Sequence, residues 1–126
     1  MTSVFKDVET FMTAAGQTTT TDNGEQALLY RRLINEEYHE FIDAVSKNDD
    51  VETIDACFDT IWVIVGYMLS RGWDLDRIWD EGALSNLKKI DKTTGKVLKR
   101  EDGKVMKPEG WQPPDFSKFV KGNDVT

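Results

Sequence analysis

Glu36-Glu37-Tyr38-His39-Glu40 and Asp55-Ala56-Cys57-Phe58-Asp59 are the two stretches from which the fold can be read. At about 100° per residue, Glu37 and Glu40 project in the same helical sector as Tyr30, Leu33, Phe41 and Ala44. Asp55 and Asp59 share a sector with Phe58, Trp62, Gly66 and Leu69, and Glu52 lies one turn earlier. Carboxylates belong on the wet face of a helix, and burying them unpaired is expensive. Two like charges about 4 Å apart repel by roughly 4 kcal/mol at an effective dielectric near 20. Two helices that set acids among apolar residues are therefore read as facing one another across either a divalent cation or a solvated acidic seam. Oxygen-only ligands favour Mg²⁺ or Mn²⁺.

Working outward, the rest of the chain is helical up to about residue 90. Val4, Phe5, Val8, Phe11, Met12 and Ala15 repeat at helical spacing, with Thr2 or Ser3 as cap and Gly16 as the end. Residues 17–23 form a polar loop, and Asp22 with Glu25 reads as a capping box for a helix over 24–47. A third helix, 51–71, is apolar on nearly every side from Ile61 to Leu69, which places it centrally, and Gly72 is its C′ residue. Asp74 caps a fourth helix over 75–90. Beyond it, Val97 to Met106 reads as a β-hairpin turning at Asp102-Gly103. Pro108, Pro113 and Pro114 exclude a following helix, and Trp111 anchors an extended tail on a neighbouring helix or a second subunit. The expectation is an all-α protein: a four-helix bundle with a short C-terminal β-hairpin and tail. It forms one domain over 1–126, with a helical core at about 3–90 and the hairpin and tail at about 93–116.

Composition limits what such a domain can do. Twenty-three acidic residues outnumber 16 basic ones, for a net charge of −7. A nucleic-acid polymer is thus a poor partner. An acidic protein still binds a small polyphosphate when cations bridge the two. A hydrophobic content of 39 % is low, which suits a thin helical subunit that completes its core as a homodimer or homotetramer. Cys57 is the only cysteine. It can form no internal disulfide, and a reducing, cytoplasmic setting is expected. Burial in its helix and the lack of an activating histidine exclude it as a nucleophile. No signal peptide is visible, and the run Ile61–Leu69 is short for a bilayer span.

Other motifs fall away. Gly95-Lys96 lacks the upstream glycine and following Ser or Thr of a phosphate loop. Glu36 to His39 has the Glu-x-x-His spacing of a di-iron bundle, but His39 is the only histidine and that site needs two such pairs. His39 reads as a partly exposed polar residue. Trp62 and Trp79 read as core rather than as stacking platforms, and Lys99, Arg100 and Lys104 as a solvated hairpin.

The ordered set resembles a known superfamily. Glu36-Glu37-x-x-Glu40, then Asp59-Thr60-Ile61-Trp62, then Ser85-Asn86-Leu87-Lys88-Lys89, then Arg100-Glu101-Asp102-Gly103-Lys104-Val105 running on to Pro113-Pro114-Asp115 is similar to the all-α nucleotide pyrophosphohydrolases. These are the MazG-like and phosphoribosyl-ATP pyrophosphohydrolase-like proteins, in their phage or bacterial form. The likeness covers about residues 3–116. It implies metal ligation by Glu37, Glu40, Asp55 and Asp59, with Glu36 as general base. It also implies substrate contacts from Asn86 and Lys89. Much of the superfamily has Glu-x-x-Asp on the second acidic helix, whereas this chain has Ala56 three before Asp59 and a literal Glu52-x-x-Asp55 one turn earlier. One ligand position is open accordingly. The implied activity is Mg²⁺-dependent hydrolysis of a (d)NTP to the monophosphate and pyrophosphate, with Mn²⁺ as a substitute metal. The alternatives are a phosphoribosyl-ATP or nucleoside diphosphate substrate, or a non-catalytic helical oligomer that binds metal or nucleotide.

Overall fold

The structure is a computed structural model that describes residues 3–120. It contains four α-helices: α1 (Ser3–Ala14), α2 (Gly24–Ser46), α3 (Asp50–Ser70) and α4 (Leu75–Leu87). The chain divides into two compact units, Met1–Leu75 and Asp76–Thr126.

In the first unit α3 packs along α2 and also touches α1. The core is Val8, Met12, Tyr30, Val63, Val65, Leu69 and Leu75, with Phe5, Leu33, Ile34, Trp62, Tyr67 and Met68 against it. Helices α1 and α3 end at the glycines the sequence points to. Gly16, at φ +77°, stops α1 while Gln17 N–H donates to the Met12 carbonyl at 2.9 Å. Gly72, at φ +72°, does the same for α3, its N–H donating to Leu69 O at 2.9 Å. The Thr2 cap, and the Ser3 side chain with it, lies outside the described residues.

The start of α2 differs from the expected capping box. Asn23, not Asp22, is the N-cap, its side chain accepting from Gln26 N–H at 3.2 Å. Asp22 instead pairs with Arg71 at 2.9 Å. The loop 17–23 is more than a polar connector. Buried Gln26 accepts from Thr18 N–H at 2.9 Å and donates to Thr18 O at 2.7 Å and to Ser70 Oγ at 2.8 Å. Ser70 Oγ in turn donates to Gly66 O at 2.7 Å. Both buried side chains are thereby satisfied, which is what allows a Gln and a Ser into this core.

At Gly66 the backbone of α3 lies against the Tyr30 ring of α2. A Cβ there would fall inside the Tyr30 ring. A mid-helix glycine costs about 1 kcal/mol relative to alanine, and here it makes room for an aromatic ring whose hydroxyl donates to Gln17 Oε1 at 2.6 Å.

Among the described residues α3 alone has the length and hydropathy, 1.3 over its best window, to cross a membrane. It packs here as the central helix of the first unit and carries Asp55 and Asp59 in mid-length. Its apolar girth is not fully covered: exposure runs from 76 % at Val51 through 70 % at Ile54 and 59 % at Phe58 to 56 % at Ile61.

The second unit departs from the expected hairpin. No strand forms among the described residues; two isolated antiparallel bridges, Ile90 with Val97 and Lys99 with Val105, take its place. The turn at Asp102-Gly103 is made, with Gly103 at φ +85° and Arg100 N–H donating to Lys104 O at 2.8 Å. It propagates only to the Lys99–Val105 bridge and to Met106 N–H donating to Leu98 O at 2.8 Å, because a lone two-stranded ribbon is marginal and its apolar Leu98, Val105 and Met106 stay exposed. Helix α4 also stops at Leu87, short of the expected residue 90. After the prolines one 3₁₀ turn, Ser117–Phe119, is all that forms.

Candidate functional site

The acidic cluster is built by the first unit. Helical spacing sets Glu37 and Glu40 one turn apart on α2, and Asp55 and Asp59 one turn apart on α3. The two pairs face each other electrostatically. Burial, the neighbouring Glu40 and the charges of Asp59 and Asp55 push the Glu37 carboxyl up to about 7. Burial, Asp55 and Glu40 likewise raise Asp59. Glu52 does not contribute to either shift. It is exposed, and its own backbone N–H is taken by the N-cap Asp49 at 3.1 Å. The four acids that act on one another are thus Glu37, Glu40, Asp55 and Asp59.

One observation tests whether a cation suits them. Glu37 is half-exposed, yet its Oε2 is buried without a hydrogen-bond partner. An anionic oxygen held that way is costly, and a bound cation removes the cost. The oxygen-only donors fit a hard divalent ion. No group of three or more acidic, His or Cys side chains among the described residues is drawn together tightly enough to hold an ion as it stands. Glu40 and Asp55 are exposed.

Glu36 is exposed beside this cluster. It also borders a groove of about 800 Å³ lined by Leu28, Arg31, Arg32, Ile34, Asn35 and Tyr38. The two arginines in that groove were not singled out by spacing. Their signal was two adjacent cations one turn before Glu36, on a helix otherwise acidic toward its end. His39 is exposed, with Nδ1 2.7 Å from Asn35 O. Trp62 lies against the core between Phe11 (5.5 Å) and Phe58 (5.8 Å). Trp79 is 60 % exposed and so is not core. Cys57 is exposed as well, because its face of α3 is uncovered in this subunit.

The other expected residues belong to the second unit. Asn86 and Lys89 are brought together: Lys89 Nζ donates to Asn86 Oδ1 at 3.0 Å. Trp111 anchors the tail on its own subunit's α4, its Nε1–H donating to Ser85 O at 2.8 Å. Lys118 pairs with Glu81 at 2.8 Å, closing the tail further along.

Residues 5–86 match the phosphoribosyl-ATP pyrophosphohydrolase family. That span takes in both acidic pairs, Glu36 and Asn86, and ends before Lys89 and the tail. No curated protein matches the chain. The match covers well over half of the chain, which therefore belongs to the phosphoribosyl-ATP pyrophosphohydrolase family, within the all-α MazG-like nucleotide pyrophosphohydrolases.

Proposed function

We propose that this enzyme, a pyrophosphohydrolase of phosphoanhydride bonds by its family, acts on nucleoside triphosphates with Mg²⁺ and releases the monophosphate and pyrophosphate. The observation that carries the reading is the orphaned, buried Glu37 oxygen among three further carboxylates. Such a set is stable when ionised only with cations among it. Enzymes of this family are metal-dependent. Glu37, Glu40, Asp55 and Asp59 are the ligands; Mg²⁺, or Mn²⁺ in its place, supplies charge neutralisation of the phosphates and acidifies water.

The chain's own residues do the rest. Glu36, exposed and beside the cluster, accepts the proton of the attacking water. Asn86 offers both a donor and an acceptor to substrate, and Lys89 offers a point charge to phosphate. The chain works as a single catalytic domain in the cytoplasm and as a homodimer or homotetramer, for which the uncovered stripe of α3 is the support.

The family match favours one specific alternative substrate, phosphoribosyl-ATP, whose scissile bond is of the same kind. One experiment separates the cases. The protein is given a nucleotide panel that includes phosphoribosyl-ATP, with Mg²⁺ in ¹⁸O-water, and pyrophosphate and orthophosphate are assayed separately. Label in the monophosphate and pyrophosphate as first product are expected. Orthophosphate first would mean attack at the γ-phosphoryl and would refute the proposed reaction. Turnover of phosphoribosyl-ATP alone would transfer the assignment to that substrate.

A further inference from the structure

The acidic first unit has a counterpart of opposite sign. Residues 88–107 hold eight Lys and Arg against three Asp and Glu. Within that stretch, two ammonium groups converge on one ring. Lys89 Nζ and Lys107 Nζ each lie 5.0 Å from the centre of the Trp111 indole. Their separation cannot exceed the sum of those distances.

The ring between them is fixed. Its Nε1–H is held by Ser85 O at 2.8 Å, and Ser85 is buried. Trp111 N–H donates to Pro108 O at 3.1 Å, closing a turn through Gly110 at φ +78° that begins directly after Lys107. Lys89 is half-buried and held by a neutral acceptor, Asn86 Oδ1. Neither lysine has a carboxylate partner among the described residues. Three acids of the unit are engaged elsewhere: Asp102 with Arg100 at 2.7 Å, Glu81 with Lys118 at 2.8 Å, and Asp91 by the N–H groups of Thr93 and Thr94. A ring face attracts one cation well, but two cations sharing one ring repel each other. An anion that touches both relieves that repulsion, and lysine is a common point-charge ligand of phosphate.

We propose that Lys89, Lys107 and Trp111 form a binding site for a pyrophosphoryl anion. Lys107 is its second phosphate-contacting residue, and Trp111 is the positioning residue that holds the two ammonium groups. That the anion is the terminal diphosphate of the substrate rests on the function proposed above; the site itself does not.

The test is calorimetric titration of the full chain with inorganic pyrophosphate in EDTA, set beside steady-state kinetics with Mg²⁺. Wild type should bind pyrophosphate without metal. Lys107→Gln should weaken that binding at least tenfold and raise KM by a similar factor with kcat within about twofold, whereas Lys107→Arg should retain both. Trp111→Phe keeps the ring face and should lose less affinity than Trp111→Ala. Nucleoside monophosphate affinity should not respond to Lys107→Gln. No metal-free pyrophosphate binding, or equal binding by a Lys107→Gln protein that melts like wild type, would overturn the site. Lys107-dependent pyrophosphate binding in a protein that hydrolyses no nucleotide would support the site while sinking the reaction. Hydrolysis with pyrophosphate affinity unchanged in Lys107→Gln would do the reverse.

Discussion

Without metal, Glu37 should keep its proton almost to neutral pH, because burial and three facing carboxylates lift it from 4.5 to about 7. Between those values the folded protein binds more protons than the unfolded chain. Its stability contribution is therefore fully present below about 4.5 and is lost as pH rises through about 7. Asp59, also raised, acts with the same sign. Glu81, Asp102 and Asp115 are lowered by their partners, and their effect is confined to more acid pH. In EDTA the melting temperature should fall from pH 5.5 to 8, and added Mg²⁺ should restore it most at pH 8, where it displaces no proton. A chelated protein whose melting is flat across that range would contradict the facing of the two acidic pairs. Replacing one acid, as in Asp59→Asn, should weaken Mg²⁺ binding yet leave the metal-free melting temperature unchanged or higher. Glu36→Gln should behave differently. A general base is worth typically 10²- to 10⁴-fold in rate, so turnover should drop by about that factor while Mg²⁺ affinity, measured by calorimetry, stays near wild type. Equal loss of metal binding would make Glu36 a ligand. That Glu37 and Glu40 share one face, and Asp55 and Asp59 another, was legible in the sequence because helical spacing fixes which side chains project together. The orphaned Glu37 oxygen was not, since burial of a single atom depends on the neighbouring helix.

Helices α2 and α3, which carry the acidic pairs, meet at a glycine packed against an aromatic ring. Gly66→Ala would gain about 1 kcal/mol of helix propensity. It would also drive a methyl group into the Tyr30 ring, and overpacking of this kind costs about 1–3 kcal/mol. The ring can retreat only by giving up its bond to Gln17, so the net effect should be destabilising, a drop of several degrees in Tm by calorimetry. Trimming the ring should relieve it: Gly66→Ala with Tyr30→Val should cost less than the sum of the two single changes. Additive losses would mean that the two residues are not coupled. The existence and type of all four helices were legible from apolar spacing and from Gly16 and Gly72, whose positive φ ends α1 and α3. The cap of α2 was not, because Asp22 and Asn23 are both good caps and a distant residue, Arg71, decides between them. The extent of the hairpin was not legible either: Asp102-Gly103 specifies a turn, but strands persist only where their apolar side chains find a face to pack on, and Leu98, Val105 and Met106 stay exposed.

The whole chain exposes more apolar surface than a lone subunit should. Val51, Ile54, Phe58 and Ile61 follow one another at spacings of three and four along α3, each more than half exposed. That is the register of a helix seam. Tyr38, Ile42 and Val45 repeat the spacing on α2 and are about half exposed. Low overall hydrophobicity suits a shared core, and the exposed stripe along α3 is the face proposed for it. Cys57, expected to be buried, is exposed because it lies on the same helix between Ile54 and Phe58. A second copy is the proposed occupant, and burying each isoleucine against it should contribute about 2 kcal/mol. Ile54→Glu with Ile61→Glu removes four isoleucines from a symmetric dimer and should therefore weaken self-association by more than about a thousandfold. Both side chains are solvent-exposed within the subunit, so helicity by circular dichroism should be retained. Sedimentation at micromolar concentration should find the wild type as at least a dimer and the double variant as a monomer. A wild type that sediments as a monomer would leave the stripe without its partner and remove the support for an oligomeric enzyme. A double variant that stays dimeric would move the interface to another surface of the subunit.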